Sequence, residues 1–527
     1  AKVVEYSSVI NSFHLYYYFP HIINKVLSII KSKFNCLLAW RKRSVVKKEE
    51  QNLVLQNVLS NFSILHWYTG KTITFDLKER SDFFWLIRAN ISGSNVLICF
   101  NNSPNEPTFV RLKNNNLRFV IAKNSTVDSN TRDFNMPLWN PTPLYKNTRK
   151  KYIKVLIKCY LLCGLLPLVN KLGLFYFVGM AYFIDNFAYW YDFFHSNKIK
   201  INVNQNDIGK DTIPMNQAME ENDGVSISYQ WSDTDDMPSI MFSRSSNVHF
   251  SFGPAYRHPL EEDHSQLDYL IYCGYITDHA FQEVKKDAYK LRKKILNNGA
   301  KFIICFFDEN SSDDRMSVIT NETSARVHKF FIEKLLEDET IGLILKPGFP
   351  NTFYQRMSSI NNLIEKAIKT GRCIIIDRGS DLKTDTYPTE AAQAADVCVG
   401  LLLSGTVILE SYLSGTTAGF LDLEKLYSNP IYQWGKGKVV FDNLDALFSG
   451  VQKYRESPES IPGFGDLSSW VKDKTPFKDG DASLRIGQYI NWLFEKFKEG
   501  ETRERAMGYA NQKYAEFWGE ENVVRWH

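Results

Sequence analysis

The sequence predicts an α/β protein built on a Rossmann-like parallel sheet. From residue 300 onward, short apolar runs of strand length alternate with longer amphipathic segments. Strands that alternate with helices form parallel sheets, because each crossover needs a helix between the paired strands. The composition, 44% hydrophobic and 23% charged over 527 residues, is that of a globular chain with two or three domains.

Five apolar runs in the second half agree with this prediction, and the amphipathic segments 324–337 and 354–369 predict two of the intervening helices. Shorter strand-like runs precede residue 290. The predicted strands cover residues 95–100, 117–122, 199–204, 224–230, 301–307, 341–347, 372–378, 397–403 and 418–423.

The tail from about residue 456 has a helical pattern that runs through Trp492 and Phe497 and ends in a helix carrying Tyr514 and Trp518. We therefore expect three parts. Residues 1–290 form a first domain, residues 291–455 a second Rossmann-like domain, and residues 456–527 a helical tail that packs back across the domain cleft.

The charge distribution is uneven. Residues 1–200 hold 27 Lys and Arg against 11 Asp and Glu, and the rest of the chain holds 36 against 48. A basic first part indicates an anionic partner, namely nucleic acid, an anionic membrane or an acidic glycan, or else a solvated basic surface. Nucleic acid is disfavoured because the basic residues belong to no recognisable reader module.

Residues 151–195 combine lysines with short apolar and aromatic runs. Each run is too short to span a bilayer, so the segment fits either a helix in the membrane interface or a buried helical hairpin. The eight cysteines form no CxxC pair and no cluster with histidine. We expect no zinc site or disulfide framework, and a cytoplasmic location at the inner face of the membrane.

One motif carries most of the functional argument. The predicted strand 397–403 is followed by Ser404, Gly405 and Thr406, and then by Glu410 on the next helix. A small-residue turn after a buried strand lets backbone N–H groups approach phosphate oxygens, and the helix N-terminus favours the same anion. Glu410 lies where its carboxylate can accept both hydroxyls of a ribose. The alternative is a Rossmann domain in which Ser-Gly is only a tight turn.

The stretch SGTVILESYLSG (404–415) resembles the donor-binding motif of GT-B glycosyltransferases. It is most similar to the SGT-x-x-LE form of lipid A disaccharide synthase, and it is related to the SGA…E form of the lipid II-forming peptidoglycan transferase. The resemblance extends over roughly 300–520, where the texture is that of bacterial surface-polysaccharide transferases.

This resemblance implies a GT-B fold, with two Rossmann-like domains facing a cleft and a C-terminal helical tail. It implies that Ser404, Gly405 and Thr406 contact the donor diphosphate and that Glu410 holds the ribose. The substrates would be a nucleotide sugar and a lipid-linked or membrane-presented glycan. No catalytic metal and no cofactor are expected.

Two cations are further donor-site candidates. Lys346 follows a predicted strand at the carboxyl edge of the sheet, where a positive charge would neutralise the leaving diphosphate. Arg378 occupies a similar position after the next strand. Both residues could equally be exposed basic residues at strand ends.

The catalytic base is expected on the first domain, facing the donor. The loop after strand 224–230 carries Asp233 and Asp235, and a carboxylate there could deprotonate an acceptor hydroxyl or act as a nucleophile. Their D-x-D spacing also matches the metal motif of GT-A transferases. His258 is the other candidate base. Acidic loops are often merely solvated.

Three other functions stay open. A sugar-nucleotide 2-epimerase shares the architecture, but it resembles an SGG-x-QEE pattern from which Ser404–Glu410 departs. If the protein were a metal-dependent D-x-D transferase, the Rossmann-like second half of the chain would have no function in catalysis. A non-catalytic membrane-bound glycan scaffold would bind no nucleotide at all.

Overall fold

Two mainly parallel sheets organise the chain. The structure is a computed structural model that describes residues 64–68, 73–100, 106–121, 139–162, 171–204, 211–233, 243–314, 319–377 and 386–526. All of these belong to one compact unit, Leu59–His527.

The first sheet has eight strands in the order β14-β7-β6-β5-β4-β1-β2-β3, and all neighbours are parallel except β14 and β7. Its strands are β1 (Ile64–Tyr68), β2 (Val96–Phe100), β3 (Arg118–Ile121), β4 (Ile201–Asn204), β5 (Val225–Tyr229), β6 (Val248–Ser251), β7 (Tyr269–Tyr272) and β14 (Val523–Arg525).

The second sheet has six parallel strands in the order β10-β9-β8-β11-β12-β13. The order reverses between β8 and β11, and such a switch point is where open α/β sheets bind ligands, beyond the carboxyl ends of the strands. The strands are β8 (Phe302–Phe307), β9 (Ile341–Lys346), β10 (Cys373–Ile375), β11 (Val397–Leu401), β12 (Thr417–Leu421) and β13 (Val440–Phe441).

Helices connect the strands and form the tail. They are α1 (Phe84–Arg88), α2 (Glu106–Asn114), α3 (Pro143–Leu162), α4 (Lys171–Asn197), α5 (Thr212–Glu220), α6 (Arg257–Glu262), α7 (Ala280–Glu283), α8 (Lys285–Leu296), α9 (Asn321–Glu337), α10 (Phe353–Arg356), α11 (Asn361–Lys369), α12 (Pro388–Ala394), α13 (Gly405–Leu413), α14 (Ile431–Gly435), α15 (Leu444–Glu456), α16 (Ser468–Val471), α17 (Ala482–Lys498) and α18 (Arg503–Trp518).

The predicted α/β class with two Rossmann-like parallel sheets in a GT-B arrangement is confirmed. All nine predicted strands are present within a few residues of their predicted bounds. The strands that sequence reasoning missed include β1, which contains His66, β6, which contains His249 and Ser251, and β7, which directly follows the polar Asp268. Short or polar-containing runs give too weak a period-2 signal to stand out from loops.

The second sheet is covered on both faces, which explains its continuous apolar runs. Along β8, Ile303, Cys305 and Phe307 join a core shared with the first sheet and the tail. Phe302, Ile304 and Phe306 join a separate core on the opposite face. This alternation follows from the two-residue period of a strand.

The C-terminal tail returns to the first sheet. Helices α17 and α18 bury Ile486, Tyr489 and Tyr514 in the shared core, and β14 adds an antiparallel edge to β7. Asp278, beyond β7, accepts hydrogen bonds from the backbone N–H groups of Gly480 (3.1 Å) and Ala482 (3.3 Å) at the start of α17. It thus satisfies donors that the first turn of a helix leaves open. The predicted domain boundaries stay predictions.

Asp278 predicts a pH effect on stability. Burial, with a smaller contribution from the charge of Asp479, raises its pKa from 3.8 to about 7, against the opposing effects of the two N–H donors and Arg485. Between pH 3.8 and about 7, the carboxyl of Asp278 is ionised in the unfolded chain but protonated in the folded chain. The free energy of unfolding therefore falls as pH rises, by about 4 kcal/mol at most. Asp278→Asn should therefore gain stability relative to wild type as pH rises from 4 to 8. Urea unfolding across this range checks it, and a difference that does not change with pH would contradict it.

The hairpin α3–α4 agrees in part with each of the two predictions for residues 151–195, a helix in the membrane interface and a buried helical hairpin. Residues of the second half of α4, such as Phe187, Trp190 and Phe194, are buried. Towards the other end of the hairpin, Val155, Ile157, Tyr176 and Met180 are exposed. Within the described residues, no helix has the length and apolarity that crossing a membrane requires.

Candidate functional site

The carboxyl ends of the two sheets meet. The backbone N–H of Asp233, beyond β5, donates to Thr406 Oγ1 beyond β11 at 2.8 Å. The hydroxyl of Tyr275, beyond β7, donates to Glu410 Oε2 at 2.6 Å. These two contacts join residues of the first sheet to the predicted donor motif of the second, at its switch point between β8 and β11.

The turn of the motif runs directly into α13. Residues Leu402–Ser404 form a short 3-10 helix, and Gly405 is the first residue of α13. A Cβ added at Gly405 would lie 2.9 Å from Asp233 Oδ2, so a larger residue here would require the Asp233 carboxylate or the turn to shift. The side chain of Ser404 lies outside the described residues.

Glu410 is buried at the centre of the site. Its Oε1 accepts the backbone N–H of Thr389, at the start of α12, at 2.8 Å, and its Oε2 accepts Tyr275. Burial raises the pKa of Glu410, against the effects of these two hydrogen bonds and of the charges of Arg80 and Lys346. A carboxylate has about four lone-pair positions, so two remain for ligand hydroxyls.

Lys346 ends β9 and is buried beside Glu410. Its Nζ lies 3.5 Å from Thr386 Oγ1. Burial, together with the charge of Arg80, lowers the pKa of Lys346 to about 7, and the charges of Glu410, Cys305 and Glu390 oppose this shift. Near neutral pH this amine is therefore present in both protonation states, and a bound anion would favour the charged one.

Asp233 takes part in a buried ion pair. Its Oδ1 accepts Lys474 Nζ at 2.6 Å and the Tyr256 hydroxyl at 2.8 Å, and the two charged side chains are 1% and 2% exposed. Lys474 also lies 4.4 Å from the ring centroid of Trp470. Asp233 thus connects the first sheet to the tail rather than facing solvent, and its role as catalytic base stays a prediction.

The other predicted site residues are not brought into this cluster by the described structure. His258 lies on α6 with its side chain 76% exposed, 3.6 Å from Glu262. Asp235 and Arg378 lie outside the described residues. Among the residues that the structure does describe, no three histidine, cysteine or acidic side chains converge as a metal site would require.

Sequence reasoning missed Arg80, Tyr275 and Lys474. Each lies in a loop whose own sequence has no motif. For Tyr275 the available signal was position, since it lies three residues after β7, and polar residues just beyond parallel strands share one edge of the sheet. Arg80 lies twelve residues after β1 and gave no such signal.

A polar groove of about 1240 Å³ lies along the same edge of the second sheet. Arg356 in its wall pairs with buried Asp308 at 2.8 Å, and the backbone N–H of Asp308 donates to the carbonyl of Lys346 at 3.2 Å. The groove wall is thus linked to the end of β9 through Asp308, although Lys346 itself does not line the groove. It is lined by hydroxyl, amide and charged groups, which include Ser311, Thr323 and Gln355.

No family model and no curated protein matches the chain. Among solved structures it is similar to HepE from Anabaena in complex with UDP and glucose, at 10% identity over 82% of this chain and 99% of that one, with a TM-score of 0.42. UDP-GlcNAc 2-epimerase from Neisseria meningitidis bound to UDP-GlcNAc has 10% identity, covers 81% and 99%, and has a TM-score of 0.46.

The wall teichoic acid polymerase TagF, in a structure soaked with CDPG, has 11% identity over 91% of this chain and 99% of that one, with a TM-score of 0.47. At such identities and TM-scores, these likenesses carry no weight for the chemistry of this chain. Function is therefore inferred from its own residues.

Proposed function

We propose that this chain is a Leloir glycosyltransferase that moves a sugar from a nucleotide-sugar donor to a surface glycan or glycolipid, such as a capsule or O-antigen acceptor. The observation that carries the proposal is the convergence of Glu410, Lys346 and the Gly405–Thr406 turn at the switch point of the second sheet, opposite the carboxyl ends of the first. The turn and Lys346 take the phosphates, and Glu410 takes the ribose.

The polar groove at the carboxyl edge of the second sheet supports this assignment. Transfer needs room for a sugar next to the diphosphate, and hydroxyl and amide side chains such as Ser311 and Gln355 are suited to sugar hydroxyls. The departing diphosphate would be stabilised by the positive charge of Lys346, which its bound anion keeps protonated.

Nucleotide binding tests the proposal. Wild type should be stabilised by one of UDP, GDP, ADP, dTDP, CDP or CMP, measured as a thermal shift with and without Mg²⁺. At 100 times its dissociation constant, a ligand stabilises by about 2.7 kcal/mol. Stabilisation by none of them would contradict a transferase and favour a glycan scaffold. A shift that requires Mg²⁺ would favour the D-x-D chemistry of Asp233 and Asp235.

A 2-epimerase would also bind a nucleotide, so the reaction must be measured as well. The nucleotide that binds should be incubated as its sugar derivative, first alone and then with bacterial glycolipid extracts. A transferase releases the free nucleotide only when the acceptor is present. Conversion of the donor sugar without nucleotide release would instead establish the epimerase.

The acceptor is proposed to be presented at the inner face of the cytoplasmic membrane, with the α3–α4 hairpin as the docking surface. Helix α3 carries six lysines and arginines and no acidic residue. Exposed Val155 and Ile157 lie among exposed Lys151, Lys154 and Lys158. Cations that flank exposed apolar side chains match an anionic lipid surface.

Vesicle binding tests this surface. Wild type should sediment with phosphatidylcholine vesicles that contain phosphatidylglycerol, and much less with phosphatidylcholine alone. Replacing Lys150, Lys151, Lys154 and Lys158 by glutamine should weaken binding roughly 100-fold or more, at about 1 kcal/mol per charge. The matched control replaces four exposed lysines of α8: Lys285, Lys286, Lys293 and Lys294. Equal losses in both variants would mean a diffuse charge effect and no docking surface.

A further inference from the structure

We infer that Arg80, from the first sheet, and Lys346, from the second, hold the two phosphates of the donor between them, so that the donor is a nucleoside diphosphate sugar. This inference rests on the proposed donor site and deepens it. It names a residue of the opposite domain as part of that site, and it excludes donors with a single phosphate, such as CMP-linked sugars.

The backbone brings the two cations together at Thr386. Glu79, in the loop that follows β1 of the first sheet, forms an antiparallel β-bridge with Thr386. The backbone of the next residue, Arg80, therefore lies close to Thr386. Lys346 Nζ lies 3.5 Å from the Thr386 hydroxyl. A residue of each sheet thus reaches the same point, and Glu410 faces it from α13.

The guanidinium of Arg80 is held differently from those of the arginines that stabilise the fold. It is half-buried, and its Cζ lies 5.7 Å from the ring centroid of Trp231. It makes no hydrogen bond or ion pair with any residue in the described part of the chain. Arginines held for structural reasons here look different: buried Arg356 and Arg485 each bond to carboxylate and backbone oxygens.

The charges at this point favour an anion. Lys346 is buried and Arg80 half-buried, so their positive charges repel each other with little screening, and the charge of Arg80 lowers the pKa of Lys346. The facing groups that oppose this effect are Glu410, Glu390 and Cys305. Glu410 is already held by Tyr275 and Thr389. A diphosphate would supply negative charge to both cations at once.

The donor class follows from the two-sided arrangement. One phosphate at the Gly405–Thr406 turn would reach Lys346 of its own sheet. A second phosphate in series extends the charge towards the opposite sheet and Arg80. Arginine also binds phosphate through two parallel N–H donors, which a lysine cannot reproduce.

Isothermal titration calorimetry tests the inference with five nucleotide pairs, CDP and CMP, UDP and UMP, GDP and GMP, ADP and AMP, and dTDP and dTMP, and with inorganic pyrophosphate. In Arg80→Gln, affinity for the preferred diphosphate and for pyrophosphate should fall roughly 10- to 100-fold, because the charge-assisted hydrogen bonds of Arg80 are lost. Affinity for the matching monophosphate should be unchanged. Arg80→Lys should recover part of the loss. The matched control is Lys78→Gln, which removes a nearby exposed charge paired with Asp287.

Proton uptake on binding is a second measurement. It would not change if Lys346 had only a structural role. Titrations at pH 7.5 in two buffers of different ionisation enthalpy should show proton uptake by wild type on binding diphosphate, because the anion raises the pKa of Lys346 from about 7. Lys346→Met should bind diphosphate more weakly, and the binding that remains should occur without that proton uptake. Unliganded thermal midpoints of all variants report any loss of folding.

The outcomes separate the two levels of proposal. Equal losses for mono- and diphosphates, or no loss in Arg80→Gln, overturn the role of Arg80 while nucleotide binding by wild type stands. If wild type binds pyrophosphate through Arg80 but no nucleotide, the anion site stands and the transferase proposal fails. If wild type binds neither, both are wrong.

Discussion

Replacing Lys474 by methionine should destabilise the folded chain by about 3–5 kcal/mol. Lys474 and Asp233 form an ion pair with side chains only 2% and 1% exposed. Methionine keeps most of the volume of the side chain but leaves the buried carboxylate of Asp233 without this cation, and removing one partner of a buried pair typically costs this much. Thermal and urea unfolding of the purified full chain measure the effect.

Two controls make this result specific. Lys472→Met makes the same substitution at an exposed position two residues earlier and should change stability little. The double variant Asp233→Asn, Lys474→Met leaves no charge of the pair buried and should regain most of the lost stability. If Lys474→Met is as stable as Lys472→Met, the tail and the first sheet are not joined by this pair in solution.

Replacing Glu410 by glutamine should weaken nucleotide binding by roughly 10–100-fold. Hydrogen bonds to a charged group contribute about 1.5–3 kcal/mol each, and glutamine offers the ribose hydroxyls only a neutral acceptor. Glutamine also fails to balance the charges of Lys346 and Arg80. Calorimetry with the nucleotide that stabilises wild type measures the loss.

The pH dependence and a matched variant test the role of the charge of Glu410. Because burial raises the pKa of Glu410, wild type should lose affinity on acidification above the pH at which an exposed glutamate titrates. Glu410→Gln should lack that component of the pH profile. Glu365→Gln makes the same change at an exposed position of the second domain and should bind as wild type does. Wild-type affinity in Glu410→Gln would remove Glu410 from the ribose site.

Local sequence was sufficient wherever the signal is periodic. The apolar runs that became β8, β9 and β11 are buried on both faces, so every residue in them had to be apolar or sit at an end. The small-residue turn before Glu410 was also predictable from local sequence. Its glycine and its glutamate have fixed places relative to one strand and one helix.

Pairings between distant segments depended on the tertiary structure. Tyr275 meets Glu410 across 135 residues, and Asp233 meets Lys474 across 241. The acidic loop that contains Asp233 has the composition of a solvated loop, yet the tail buries this carboxylate.

The sequence by itself determined the α/β class and five strands of the second sheet, and it predicts the donor motif, because each is encoded by residues a few positions apart. Only the tertiary structure decided that Arg80 and Tyr275 of the first sheet face Lys346 and Glu410 of the second. That choice depends on how two sheets pack, and packing is the sum of many weak contacts between residues far apart in the chain.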